Sequence, residues 1–218
     1  MIRIGDNLWV SVASESVSSN LKITLAVTGA SGSVFAATML QALAADGRVA
    51  RVNFIPSEAA LRVFAEEMQL SGRNGLVEKL LGADHAGLGK IEQHPEADIG
   101  ANVASGSYRS EGMIVLPCSM GTLAGIACGL ASNLIERAAD VCLKERRPLI
   151  LCVRETPFNR IHLRNMQLAS DAGATIFPVM PAFYNLPQST TEMARQFCAR
   201  VLAHIGLAQP GAFEWKAD

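Results

Sequence analysis

Two short stretches of small polar residues could do chemistry. Gly29-Ala30-Ser31-Gly32-Ser33 follows the apolar run Ile23 to Val27, and Ser119-Met120-Gly121-Thr122 follows the apolar run Met113 to Leu116. A glycine-rich turn between a strand and a helix presents backbone N–H donors at the positive end of the helix dipole. Such a turn favours an anion, usually a phosphate. Gly29 and Gly32 permit close backbone approach, and Ser31 and Ser33 add hydroxyls. The third glycine of a dinucleotide fingerprint and the Gly-Lys pair of a P-loop are both absent, so the same turn also fits a plain Ser-capped helix start.

Charged residues supply the second signal. Arg154-Glu155-Thr156-Pro157 ends the apolar stretch Pro148 to Val153. Two opposite charges at the carboxyl end of a strand stand where open parallel sheets bind ligands. Arg137 and Lys144 lie seven apart on a helical segment from Asn133 to Arg147, hence on one face. A solvated face is the ordinary reading of that run, and an anionic substrate the other. Glu67 falls near the end of the helical stretch Glu58 to Met68, where a carboxylate opposes the helix dipole; taken alone it reads as a solvated charge. Ser57 is placed as the N-cap of that helix and also ends a strand, Arg51 to Ile55. Cys118 has no partnered base in view and reads as a small buried thiol.

These residues need a scaffold of alternating strands and helices. After Ile23–Val27 comes a helix over Val34–Ala45, with Phe35, Met39, Leu40 and Leu43 on a helical repeat. The strand at Arg51–Ile55 and the helix at Glu58–Met68 follow. Residues 71–110 are the least regular, with a short helix at Gly75–Leu81 and a short strand at Lys90–Gln93 in a long loop. Then come the strand Met113–Leu116, a small-residue helix, the charged helix Asn133–Arg147 and the strand Pro148–Val153. A helix at His162–Ala172, a strand at Ala174–Phe177, a stiff loop with Phe183 and Tyr184, and a helix at Thr190–Gly206 complete the order. This predicts a three-layer, doubly wound α/β fold on a mainly parallel sheet, of Rossmann or flavodoxin-like type. Residues 21–207 form one domain, after a flexible lead-in over 1–20 and before a tail over 208–218 that contributes to the site or an interface.

Composition excludes several classes. A chain of 218 residues with 18% charge and net charge −1 is one globular domain and no general nucleic-acid binder. The five cysteines lack C-x-x-C spacing and residues 1–20 lack a signal-peptide pattern, which suits a reduced, cytoplasmic protein. No zinc-binding histidine pair is present, so no metal is expected. The uncharged stretch Met113–Ala131 is broken by Pro117-Cys118-Ser119 and reads as strand, turn and helix rather than a membrane span.

Taken in order, Gly29-Ala30-Ser31-Gly32, Pro117-Cys118-Ser119, Asn133 to Asp140, Leu143 to Pro148, Arg154-Glu155-Thr156-Pro157 and Pro181-Ala182-Phe183-Tyr184 are more specific than any part. Over about Ile23 to Gly206 the chain resembles the flavin prenyltransferases (UbiX-like), within the homo-oligomeric flavin-containing decarboxylase-like proteins. The resemblance implies metal-independent transfer of a dimethylallyl group from dimethylallyl monophosphate to N5 and C6 of reduced FMN. The prenylated FMN then serves a separate decarboxylase. It also implies a homo-oligomer, usually a dodecamer, with sites at subunit junctions.

Carried over residue by residue, the resemblance implies FMN contacts from Gly29, Ala30, Ser31, Ser57, Ser119, Met120, Gly121, Thr122, Arg137 and Arg154. Lys144, Arg154, Tyr184 and Arg200 match substrate-phosphate ligands, and Trp215 a C-terminal aromatic over the site. Ser31, Glu67, Lys144 and Glu155 match catalytic positions. The types suit allylic C–O cleavage: Lys144, Arg154 and Arg200 neutralise a leaving phosphate, and Glu155 with that phosphate removes the C6 proton. Two rivals stand beside this reading. An FMN-dependent cysteine-type decarboxylase of the same fold group would carry a histidine after an early helix, which this chain lacks. A non-catalytic flavin-binding subunit would not need Lys144, Glu155 and Arg200.

Overall fold

The computed structural model describes residues 2–3, 9–10, 20–82 and 87–213. Ile2–Arg3 (β1) and Trp9–Val10 (β2) pair antiparallel. Residues 1, 4–8 and 11–19 of the lead-in lie outside the described residues. The main sheet comprises Leu21–Val27 (β3), Val49–Pro56 (β4), Ile91–Gln93 (β5), Gly112–Cys118 (β6), Leu149–Val153 (β7) and Thr175–Ile176 (β8). Its order is β5-β4-β3-β6-β7-β8, and every neighbouring pair is parallel.

The connecting helices are Ser33–Ala45 (α1), Glu58–Met68 (α2), Leu76–Leu81 (α3), Met120–Ala127 (α4), Leu134–Lys144 (α5), Arg160–Asp171 (α6) and Thr190–His204 (α7). Polar side chains start most of them. Ser57, Ser119, Asn133, Asn159 and Ser189 each accept a backbone N–H three residues on. The expected irregular stretch after Ser71 holds α3, two single 3-10 turns and β5.

The central strands are mostly apolar because helices cover both faces. Ile23, Leu25 and Val27 of β3 join Ile114 and Leu116 of β6 in a core under α1, α2, α3 and α7. Ala26, Met113, Val115, Leu149, Leu151 and Val153 face the opposite core, under α4, α5 and α6. Phe35 of α1 meets Phe197 of α7 edge-on at 5.3 Å, and Phe177 meets the same ring at 5.5 Å. Cys118 is fully buried, and burial pushes its thiol up to about 12, which suits a packing role and not a nucleophile.

Candidate active site

From β3 the chain moves to β4 on one side, and from β6 to β7 on the other. The switch point therefore lies between the carboxyl ends of β3 and β6, where such sheets open a ligand crevice. The turn at Gly29–Ser33 and the junction at Ser119 flank it, and Ser57 and Arg154 end the next strands out on either side. Thr28, which the sequence did not single out, joins the two central junctions. Its hydroxyl donates to the Pro117 carbonyl at 2.9 Å and accepts the Ser119 N–H at 2.7 Å. In sequence it stands between the strand that ends at Val27 and the turn that begins at Gly29.

The α1 turn differs from expectation. Its N-cap is Gly32, at φ 127°, and no serine caps it. The expected phosphate donors are already engaged: Gly32 N–H lies 3.1 Å from both Glu67 carboxylate oxygens, and Ser33 N–H lies 2.7 Å from one of them. Glu67 is thus no mere solvated charge. It opposes the dipole of its own helix while complementing that of α1. Burial would raise its pKa, but hydrogen bonds from the Ser31 and Ser33 side chains and the turn N–H groups outweigh this and hold it below the ordinary value. Gly29 is also fixed by space: a β-carbon there would meet Ala59 Cβ at 2.5 Å.

An anion is better served at α4. Ser119 Oγ accepts the Thr122 N–H, and among the described residues the N–H groups of Met120 and Gly121 have no protein partner. A β-carbon at Gly121 would meet nothing within 4 Å, so the space over this helix start is open. Ser57, 7% exposed, spends its hydroxyl as the α2 cap, accepting the Ala60 N–H at 3.0 Å.

A second concavity adjoins the far side of the sheet. Tyr184 and Arg200 line a cavity of about 700 Å³ with Phe177, Asn185, Phe197 and Phe213. Asn185 Nδ2 is buried there without a hydrogen-bond partner among the described residues, a donor the fold leaves unmatched. Val179 N–H donates to the Val153 carbonyl at 2.9 Å, which sets the start of this loop beside Arg154. Arg154 and Glu155 are both exposed. Trp215 lies outside the described residues; Phe213, two positions earlier, is at the cavity wall.

Of the two α5 cations, Arg137 is partly covered and Lys144 is exposed. Arg137 Nε donates to the Ala104 carbonyl at 3.0 Å and pairs with Asp140 at 2.8 Å. Lys144 pairs with Glu145. Lys144 closes α5, just before the amino end of β7, while Arg154 follows the carboxyl end of that strand. Five strand residues separate them, roughly 17 Å of chain. One chain therefore brings Ser31 to Glu67 and Tyr184 to Arg200, but it sets Lys144 at the opposite edge from Arg154. The topology makes this legible, because a helix that precedes a parallel strand ends at that strand's amino edge. No group of three or more potential metal ligands occurs among the described residues.

The family model for flavoproteins matches residues 11–196. The flavin prenyltransferase UbiX of Halalkalibacterium halodurans is 41% identical over 194 residues, covering 88% of this chain and 92% of that protein. The dodecameric FMN-dependent UbiX-like decarboxylase of Escherichia coli O157:H7 superposes with a TM-score of 0.80 at 40% identity, covering 90% of this chain and all of the other. AnUbiX (PadA1), solved with FMN and dimethylallyl pyrophosphate, gives a TM-score of 0.80 at 38% identity, covering 91% and 98%. With sequence and overall fold in agreement over most of its length, the chain belongs to the UbiX-like flavin prenyltransferase family of flavoproteins.

Proposed function

We propose that this protein transfers a dimethylallyl group from dimethylallyl monophosphate to N5 and C6 of reduced FMN, and that the prenylated FMN passes to a partner decarboxylase. One observation carries the reading: the chain has two separate places for an anion. The open start of α4, with Met120 and Gly121 N–H groups unmatched, suits the FMN phosphate. The cavity of Tyr184, Arg200 and the unmatched Asn185 amide suits a second phosphate with an apolar tail against Phe177 and Phe197. A flavin carrier needs only the first.

Reduced FMN, when bound, supplies the electron-rich N5 and C6 positions. Gly29, Ala30, Ser31, Ser57, Ser119 to Thr122, Arg137 and Arg154 would hold it. As the allylic C–O bond breaks, its electron pair leaves with the phosphate. Arg154, Arg200, Lys144 and Tyr184 would hold that phosphate and offset its charge, and aromatic faces of the cavity would stabilise the positive charge developing on the allyl fragment. N5 would bond to the allyl carbon as the C–O bond breaks; closing the ring at C6 then needs a proton delivered to the prenyl double bond and one removed from C6, and Glu155 with the departed phosphate would carry both transfers. Glu67 fixes Ser31, whose hydroxyl would orient N5 of the bound flavin. Because Lys144 stands at the opposite edge of its own sheet, the Lys144 of this site comes from a second copy of the chain. That supports a homo-oligomer, a dodecamer in this reading. No helix among the described residues is long and apolar enough to cross a membrane, and the proposed location is the cytoplasm.

A second reading rests on the decarboxylase name of the Escherichia coli structure: oxidative decarboxylation of a cysteine-type substrate at the same flavin site. Anaerobic incubation with reduced FMN and either dimethylallyl monophosphate or pyrophosphate, with the flavin product examined by mass spectrometry and NMR, separates the two. A flavin heavier by one prenyl unit, bonded at N5 and C6, supports the transferase. Unchanged flavin with both donors, together with carbon dioxide release from a cysteine peptide, replaces it with the decarboxylase.

A further inference from the structure

The loop from Ala104 to Tyr108 is tied to the end of α5. Arg137 holds the Ala104 carbonyl, and Arg147 donates to the carbonyls of Gly106 and Tyr108, each at 2.7 Å. Between these anchors, the Lys144–Glu145 pair lies over Gly106. A β-carbon at Gly106 would stand 2.6 Å from Lys144 Nζ and 2.9 Å from Glu145 Cδ, and closer still to a Glu145 carboxylate oxygen. Gly106 is not among the glycines at positive φ, so its backbone conformation is open to any residue. What the position requires is the absence of a side chain, and the atoms that require it are the two charged ends.

We infer that Gly106 is a positioning residue for Lys144: the bare backbone is the seat on which the Lys144–Glu145 pair rests, and it sets where the ammonium is presented. Lys144 in turn holds the Glu145 carboxyl below its ordinary value, so the pair is ionised and acts as one unit. An incoming phosphate competes with Glu145 for the ammonium, and the seat fixes the starting geometry of that exchange. The inference rests on the reading that Lys144 binds the prenyl phosphate. Both displaced groups are ends of flexible side chains, so Gly106→Ala moves them without forcing the backbone.

The test is a double-mutant cycle on the oligomeric enzyme, using Gly106→Ala, Lys144→Ala and both together. It measures KM for dimethylallyl monophosphate, FMN affinity and the thermal midpoint. Gly106→Ala is expected to raise that KM about three- to tenfold, with FMN affinity and thermal midpoint unchanged, and to add nothing once Lys144 is alanine. A Lys144→Ala enzyme with unchanged KM overturns the role of Lys144 itself. A raised KM in Lys144→Ala, with Gly106→Ala silent, additive or insoluble, overturns the role of Gly106 and leaves that of Lys144 standing.

Discussion

The Glu67 carboxylate, at the last turn of α2, accepts the Ser33 N–H at the first turn of α1 at 2.7 Å. One side chain thereby caps a helix 34 residues earlier in the chain and anchors the Ser31 hydroxyl. Glu67→Ala removes the cap and is expected to cost about 1 kcal/mol of stability, the usual scale for a lost N-cap. Chemical denaturation checks this. Prenylated-flavin formation should fall more steeply than stability does, because Ser31 loses its anchor.

The same contact has a pH signature. The folded-state pKa of Glu67 is depressed, so the unfolded chain binds the proton more readily. The stability it contributes is present above the ordinary glutamate value of 4.5 and is lost as pH falls through the lower folded value. Asp46, held at about 2 by hydrogen bonds from Arg48, acts in the same direction. Thermal midpoints followed from pH 6 down to pH 3 should therefore drop less for Glu67→Gln than for the parent. Parallel curves would show that the carboxylate charge contributes nothing.

Thr28 offers a test of the crevice frame. It is 1% exposed, and its hydroxyl bridges Pro117 and Ser119. Thr28→Val keeps the shape and strands the Ser119 N–H, at a cost of about 1–3 kcal/mol. Flavin affinity, read by fluorescence quenching, should weaken with it, since Ser119 starts α4.

Gly29 tests close approach rather than hydrogen bonding. Gly29→Ala drives a methyl into Ala59 Cβ, 2.5 Å away, and overpacking of this kind costs about 1–3 kcal/mol. Adding Ala59→Gly opens that space and should restore most of the lost thermal midpoint. Failure to restore would place the defect in the turn itself.

Much of the fold was legible because β3, β6 and β7 are buried on both faces, so apolar runs mark the strands, and serine or asparagine starts mark most of the helices. Glu58–Met68 agrees to the residue, while β6 extends through Pro117 and Cys118 beyond the run that marked it. The site was less legible. Glu67 acts across 34 residues of sequence, and no local pattern records that its partner is a helix start. Thr28 bridges two loops through one hydroxyl. Arg137 looked solvated, and Arg147 after α5 likewise, because they donate to backbone carbonyls of residues 104–108, which carry no sequence signal.

We propose prenyl transfer at a site shared between two copies, with Lys144 from one and Arg154 from the other. The most direct measurement co-expresses Lys144→Ala and Arg154→Ala chains, isolates the mixed oligomer and assays prenylated flavin by mass spectrometry after anaerobic incubation with reduced FMN and dimethylallyl monophosphate. Each variant alone should be nearly inactive, and the mixture should regain activity, because some junctions then pair an intact Lys144 with an intact Arg154. A mixed oligomer as inactive as either variant would contradict the shared site. Full activity in both single variants would contradict the assignment of these cations to the reaction.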